Sequence, residues 1–292
     1  MAPHDQAETR RPPRVADARA SQVTTIEPSG GLSLPSLREV WTGRELLWFL
    51  VLRNIKVRYT QTVLGATWTL LQPLLPMVVF TVFFGRLADV PSDGLPYYLF
   101  SLSGLVVWAY FASTVTQGSQ SLVSDAPLIT KVYVPRVIIP LAMLLSGLLD
   151  LAITLMLLLG LLVAAGHAPP LTALLAVPFL VLTVLITFGA VLWLSALNVR
   201  FRDVRVAVPF LVQTLLFLTP IAYPASLVTG TWRIIYAVNP VVGAVEGFRW
   251  SVLGADTNPW ALVVTSVIVT VILVFTGALY FRRLDRTFAD VI

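Results

Sequence analysis

The chain has 292 residues, 57% of them hydrophobic and 12% charged, with a formal net charge of +5. Soluble domains carry about 25% charged residues. The deficit, with a mean hydropathy of +0.83, excludes a soluble globular enzyme, a coiled coil and a disordered chain, and places most residues in lipid. There is no cysteine, so a disulfide framework, a thiolate metal site and a cysteine nucleophile are excluded; His4 and His167 alone leave little basis for a histidine-built metal site. No cofactor is expected. The basic residues, all arginine except Lys56 and Lys131, edge the apolar runs and do not form a basic face with interleaved aromatics. They read as topology signals, and nucleic acid is not an expected partner.

Residues 1–35 are polar, rich in Arg, Ala, Pro and Ser, and hold no apolar run like a signal-peptide core. They are expected to form a disordered cytoplasmic tail that the mature protein keeps. Residues 36–62 are expected to form an interfacial amphipathic helix. Trp48, Val51, Leu52, Ile55 and Tyr59 follow the spacing of one helical stripe, and Arg53, Lys56 and Arg58 fall outside it, near anionic headgroups. Leu46, Leu47, Phe49 and Leu50 add apolar surface elsewhere. Two readings stand: a plain membrane anchor, or a helix that packs on a cytoplasmic partner or frames a substrate entrance.

Residues 63–292 are expected to form the transmembrane domain. Residues 59–85, 94–124, 151–199, 206–232 and 257–281 carry no charge. A helix needs about 20 apolar residues to cross the hydrocarbon. Six spans are therefore predicted near 66–86, 96–119, 137–165, 171–197, 206–222 and 259–281, the third stretch splitting at Gly166 to Pro170. The fold class is an all-α integral membrane protein, because backbone polar groups in lipid must be satisfied locally; the alternation of a membrane barrel is absent. With both termini cytoplasmic, Arg53, Lys56, Arg58, Lys131, Arg136, Arg200, Arg202, Arg205, Arg282, Arg283 and Arg286 fall inside, and only Arg86, Arg233 and Arg249 outside. Residues 223–256 are apolar but broken by Pro224, Gly230, Pro240, Gly243 and Gly247. They are read as two short re-entrant half-helices on the outer face between spans five and six, a first hint of an outer gate.

Four features carry candidate function. The inner loop 120–136 holds Leu122, Val123, Leu128, Ile129, Val132 and Tyr133, too apolar for water, so it lies on the bilayer or fills a socket in another protein; Asp125 before Pro127 suits the cap of a short helix. The turn 198–205, with Arg200 and Arg202, is either topogenic charge or a contact with a cytoplasmic subunit or an anionic headgroup. Asp150 is the one charge deep in a predicted span, a functional hypothesis by default, read as a structural hydrogen-bonded group or as a proton site. Glu246 and Arg249 are spaced for an intrahelical ion pair. Trp108, Tyr110, Phe111, Tyr223, Trp232 and Tyr236 cluster toward the outer half, as an interfacial belt or as a sugar-facing path.

These residues also carry a resemblance. The run LRNIKVRYTQTVLGATW over residues 52–68, followed by Pro73, then LITKVYVPR over 128–136, LNVRFRDV over 197–204, TPIAYP over 219–224, Asn239-Pro240, Glu246 and Arg249 together resemble the permeases of type-two ABC exporters of polysaccharides and teichoic acids. The family often has Asp where this chain has Asn54, and Lys where it has Thr60. The resemblance implies two copies of this chain in the bacterial inner membrane, with two cytoplasmic ATPase subunits beneath. It implies a coupling helix holding Asp125, Leu128, Ile129, Lys131, Val132 and Tyr133, and a gate helix at the entrance for a lipid-linked glycan, with the re-entrant half-helices as outer gate. Arg53, Lys56, Arg58, Arg200 and Arg202 are candidates for the acidic linker, and the outer aromatics with Glu246 and Arg249 for the glycan path or outer gate. No P-loop pattern is present, so ATP would be hydrolysed by the partner. The alternatives are an exporter of a drug or small lipid, a proton-coupled carrier acting through Asp150, and a membrane enzyme.

Overall fold

The computed structural model describes residues 37–60, 67–131, 135–167, 170–255 and 257–285, and every regular element among them is helical. Helices α1 (Leu37–Thr42) and α2 (Arg44–Tyr59) precede α3 (Thr67–Phe80), which runs on as wider π-type turns over Thr81–Leu87. Then come α4 (Tyr97–Ser124), the short α5 (Ala126–Lys131), α6 (Ile138–Ala164), α7 (Ala176–Arg200, entered through a 3-10 turn at Leu171–Leu175), α8 (Val204–Phe217), α9 (Thr231–Ala237), α10 (Pro240–Leu253) and α11 (Trp260–Asp285).

Five of these segments are long and apolar enough to cross a membrane: Thr67–Leu87, Tyr97–Lys131, Ile138–Ala164, Leu171–Arg200 and Trp260–Leu284. They coincide with predicted spans one to four and six. The predicted span at 206–222 is a 14-residue helix, α8. Fourteen residues rise about 21 Å, short of the roughly 30 Å of hydrocarbon. Pro220 explains the early stop. Its ring disfavours helical backbone at Thr219 and supplies no amide to continue the ladder, and the chain turns through Leu218–Tyr223.

Helix α4 is the axis of the bundle, packed on α3, α6, α7, α8 and α10. Next to it α7 lies along α11, with small residues at the crossing: a Cβ on Gly189 would come within 3.0 Å of the Val274 amide nitrogen, and one on Gly277 within 3.0 Å of the Gly189 carbonyl. Small residues let membrane helices approach where water supplies no driving force. Trp193 and Tyr280 stack beside that crossing with ring centroids 4.4 Å apart.

The predicted stripe of α2 is split. Leu50, Val51 and Asn54 are buried against the inner ends of α4, α6, α7 and α11, in a cluster with Leu122, Ile138, Ile139, Ala142, Leu192 and Phe281. Trp48, Phe49, Leu52 and Val57 are exposed on the other side. The exposed side is mixed, since Arg44, Glu45 and Lys56 lie at the surface among these apolar side chains.

Candidate translocation path and its gates

The end of the bundle remote from α5, outer in the orientation that arginine bias favours, is built around a broken backbone. After α8 the chain is irregular, yet Thr219, Pro220, Ile221 and Ala222 are buried. Backbone carbonyls at such depth need partners, and side chains provide them. Asn239 Nδ2 donates to the Leu218 carbonyl at 3.2 Å and to Thr219 Oγ1 at 3.1 Å. Arg249 Nη2 donates to the Pro220 carbonyl at 2.6 Å. The Tyr97 hydroxyl donates to the Ala222 carbonyl, and the Tyr223 hydroxyl to the Phe217 carbonyl at 2.9 Å. Asn239 also caps α10, its Oδ1 accepting from the Val241 amide at 3.1 Å, with Pro240 at the first helical position.

Arg249 is the hub of this bracket. Its Nη1 meets Glu246 Oε1 at 2.6 Å, so the predicted pair forms. The guanidinium also reaches Ser103 Oγ and the Phe100 carbonyl, each at 3.3 Å, and lies 3.7 Å from the Phe100 ring centroid. The two side chains are 1% and 4% exposed. A charge this deep persists only when paired and fully hydrogen-bonded. One residue thereby ties α10, α4 and the broken segment together. Gly243 and Gly247 let α10 seat closely, since a Cβ on Gly243 would come within 2.5 Å of the Leu262 carbonyl of α11.

The aromatics divide. Trp108, Tyr110 and Phe111 are buried in the core, and the Tyr110 hydroxyl donates to the Leu144 carbonyl of α6 at 3.2 Å. In the single chain their rings fill the packing around α4. Tyr223 and Tyr236 sit half-buried with ring centroids 6.3 Å apart, and Trp232 on α9 is exposed.

The inner half is organised by α2. Arg53 Nη2 donates to Asp125 Oδ2 at 2.7 Å, and its Nε and Nη2 to Asn54 Oδ1 at 3.3 and 3.1 Å; Asn54 Nδ2 in turn meets Met143 Sδ of α6 at 3.5 Å. One turn further on, Arg58 is paired with Asp150 and donates to Gln117 Oε1 at 2.9 Å. The Tyr59 hydroxyl donates to the same Asp150 carboxylate and lies 3.2 Å from Thr69 Oγ1. Asp150 stands twelve residues into α6, about 18 Å along its axis. Helix α2 therefore climbs the bundle instead of lying flat on its inner surface.

Asp150 is bonded across helices, as one of its two readings had it: residues 92 and 91 positions away, Arg58 and Tyr59, answer it, partners that a search of the span centres alone does not reach. Arg53 and Arg58 are engaged by carboxylates and are not a free basic entrance. Lys56, Arg200 and Arg202 remain exposed. In the inner loop, Leu128 and Ile129 are half-buried against the Leu50/Val51 cluster, while Pro127, Thr130 and Lys131 face outward. Val132 and Tyr133 lie outside the described residues.

Two features went unmarked in the sequence. Asn198 is buried and its Nδ2 donates to the Ser119 carbonyl at 2.9 Å, fixing the inner turn to α4. On α4, Ser113, Thr116, Gln117, Gln120 and Ser124 recur at helical spacing, Gln117 and Ser124 exposed and the others half-buried. The same face continues outward as Ala109, Val106 and Leu102, the last two fully buried. The face is thus polar and open in its inner half, apolar and closed in its outer half. The polar periodicity was present in the sequence; a search for charge passes over Ser, Thr and Gln.

The sequence profile described as ABC-2 type transporter matches residues 45–253. An O-antigen export system permease protein RfbA of Klebsiella pneumoniae is 28% identical over 249 residues, covering 85% of this chain and 95% of its own length. A protein of the same name from Myxococcus xanthus is 30% identical over 215 residues, covering 73% of this chain and 82% of its own. A further RfbA of Klebsiella pneumoniae is 27% identical over 252 residues, covering 85% and 95%.

Proposed function

The chain belongs to the ABC-2 type transporter family, and from that premise we propose that it is the permease subunit of an exporter moving a lipid-linked polysaccharide outward across the bacterial inner membrane. The observation that carries the reading beyond the family is the α4 face from Ser113 to Ser124. A polar stripe in the inner half of a long apolar helix is costly against lipid and suited to a hydrated polymer. The relatives named for O-antigen export give the polymer class.

In this reading two copies face each other across that stripe, and two partner ATPases bind beneath, against α5 and the residues after it. Six crossings are the count that keeps the chain ends on one side, with α8 and the bracketed segment after it together forming the fifth and α9 and α10 re-entering from the outer face. That count leaves Arg200, Arg202, Arg282 and Arg283 on the inner side with α2, as arginine bias requires. Lys56, Arg200 and Arg202 are the free basic groups for the acidic carrier linker. The Arg249 bracket and the Tyr223/Tyr236 pair form the outer gate. A proton-coupled carrier loses its candidate site, because Asp150 is committed to Arg58 and Tyr59.

The test is surface polysaccharide in a source strain lacking this chain, complemented with it and with or without the partner ATPase. Export should need both. Export by this chain in the absence of any ATPase partner overturns the reading.

A further inference from the structure

We propose that the Arg53–Asp125 ion pair is the joint through which α5 drives α2 during transport, a role that rests on the exporter reading above. Asp125 is the corner between α4 and α5: its amide donates to the Ser121 carbonyl of α4 at 3.0 Å, and its carbonyl accepts from the Leu128 and Ile129 amides of α5 at 2.9 and 3.2 Å, so a swing of α5 about that corner turns Asp125 with it. Its carboxylate holds Arg53 of α2 at 2.7 Å. Arg53 is oriented for that contact by Asn54. Leu128 and Ile129 pack on the same apolar cluster as Leu50 and Val51, so α5 and α2 share that cluster besides the ion pair.

The far end of α2 reaches the proposed path. Arg58 and Tyr59 hold Asp150, and Arg58 also holds Gln117, within the polar face of α4. Helix α2 is therefore a strut with one end on the element beneath the bundle and the other on the path lining. A push on α5 has a second route to Gln117 and Asp150, through α2, beside the last two turns of α4. The inner pair is suited to transmit force and still re-form. Its side chains are 32% and 14% exposed, so water reaches them and neither partner is trapped as a buried lone charge when the contact lengthens. Arg53 and Asp125 are positioning residues in this scheme and touch no substrate.

The test uses the full permease–ATPase complex, with three readouts: co-purification of the ATPase, ATP hydrolysis, and surface polysaccharide in the complemented deletion strain. Arg53→Ala should keep the ATPase bound and hydrolysing while export falls about 5-fold or more, the lower end of ordinary coupling energies; Asp125→Ala, at the head of the ATPase-facing helix, is read on export alone and should lose as much. The swapped pair, Arg53→Asp with Asp125→Arg, should recover most of the lost export. A purely structural staple would lose ATPase binding and export together. The joint is overturned if either alanine variant exports like wild type, or if the swap exports no better than the single variants, whether or not they assemble. Export by the wild-type complex without ATP overturns the exporter reading itself, a separate result.

Discussion

The outer pair Glu246–Arg249 and the inner pairs Arg53–Asp125 and Arg58–Asp150 use the same chemistry for opposite ends. The outer pair lies within one helix, three residues apart, with both side chains almost wholly buried. Its guanidinium also holds Pro220 and Phe100 carbonyls. The inner pairs join residues 72 and 92 positions apart and keep 14–32% of each side chain exposed. A buried pair whose three guanidinium nitrogens all donate is a fixed bracket, because separating it strands a charge in a medium that cannot solvate it. The Arg53–Asp125 pair, 32% and 14% exposed at the end of the bundle beside α5, breaks and re-forms at low cost where water takes up the released groups. In this chain, rigidity belongs to the outer end and adjustable contact to the inner end.

The contrast breaks most visibly at Arg249. Arg249→Met should leave Glu246 buried and unpaired and the Pro220 carbonyl orphaned, costing about 3–5 kcal/mol; thermal denaturation in detergent should show the loss, with Glu246→Gln costing less. Asp150→Ala should cost about 1–3 kcal/mol, the range for hydrogen bonds to charged groups. Hydrogen exchange should locate that effect in α2 and leave α10 protected. Asn239→Ala removes the α10 cap and the bond to the Leu218 carbonyl, and about 1–2 kcal/mol of stability should go with them. The smallest change in stability, within about 0.5 kcal/mol, is expected for Gln120→Leu with Ser124→Ala, which leave the Arg58–Gln117 bond in place. Their effect should appear in surface polysaccharide, which falls if that face lines the path. An unchanged export level would remove α4 from the path and leave the inner pairs as scaffold only.

The helices were legible because lipid imposes one rule on every residue of a span, and that rule writes itself as a gap between charges. Spans one to four and six follow those gaps closely. The apolar run over 206–222 looked like another crossing by composition, yet backbone chemistry at Pro220 ended α8 at Phe217. Glu246 and Arg249 were legible as a pair because their spacing is local. Arg53, Arg58 and Asp150 were each visible as unusual charges, but their partners lie too far away in sequence for spacing to pair them. The burial of Trp108, Tyr110 and Phe111 was not legible, because aromatic composition is the same for a ring at an interface and a ring filling a core.

The sequence by itself determined the solvent, the all-helical class, the span positions apart from α8, and the family through its ordered motifs. These depend on composition and local periodicity, which act along the chain. Only the tertiary structure decided that α2 climbs the bundle, that Asp150 is neutralised from α2, that Arg249 satisfies a broken backbone, and which face of α4 stays polar and open. Each of these depends on which surfaces meet. In a chain that is 57% hydrophobic, apolar pattern alone does not distinguish a helix face bound for protein from one bound for lipid.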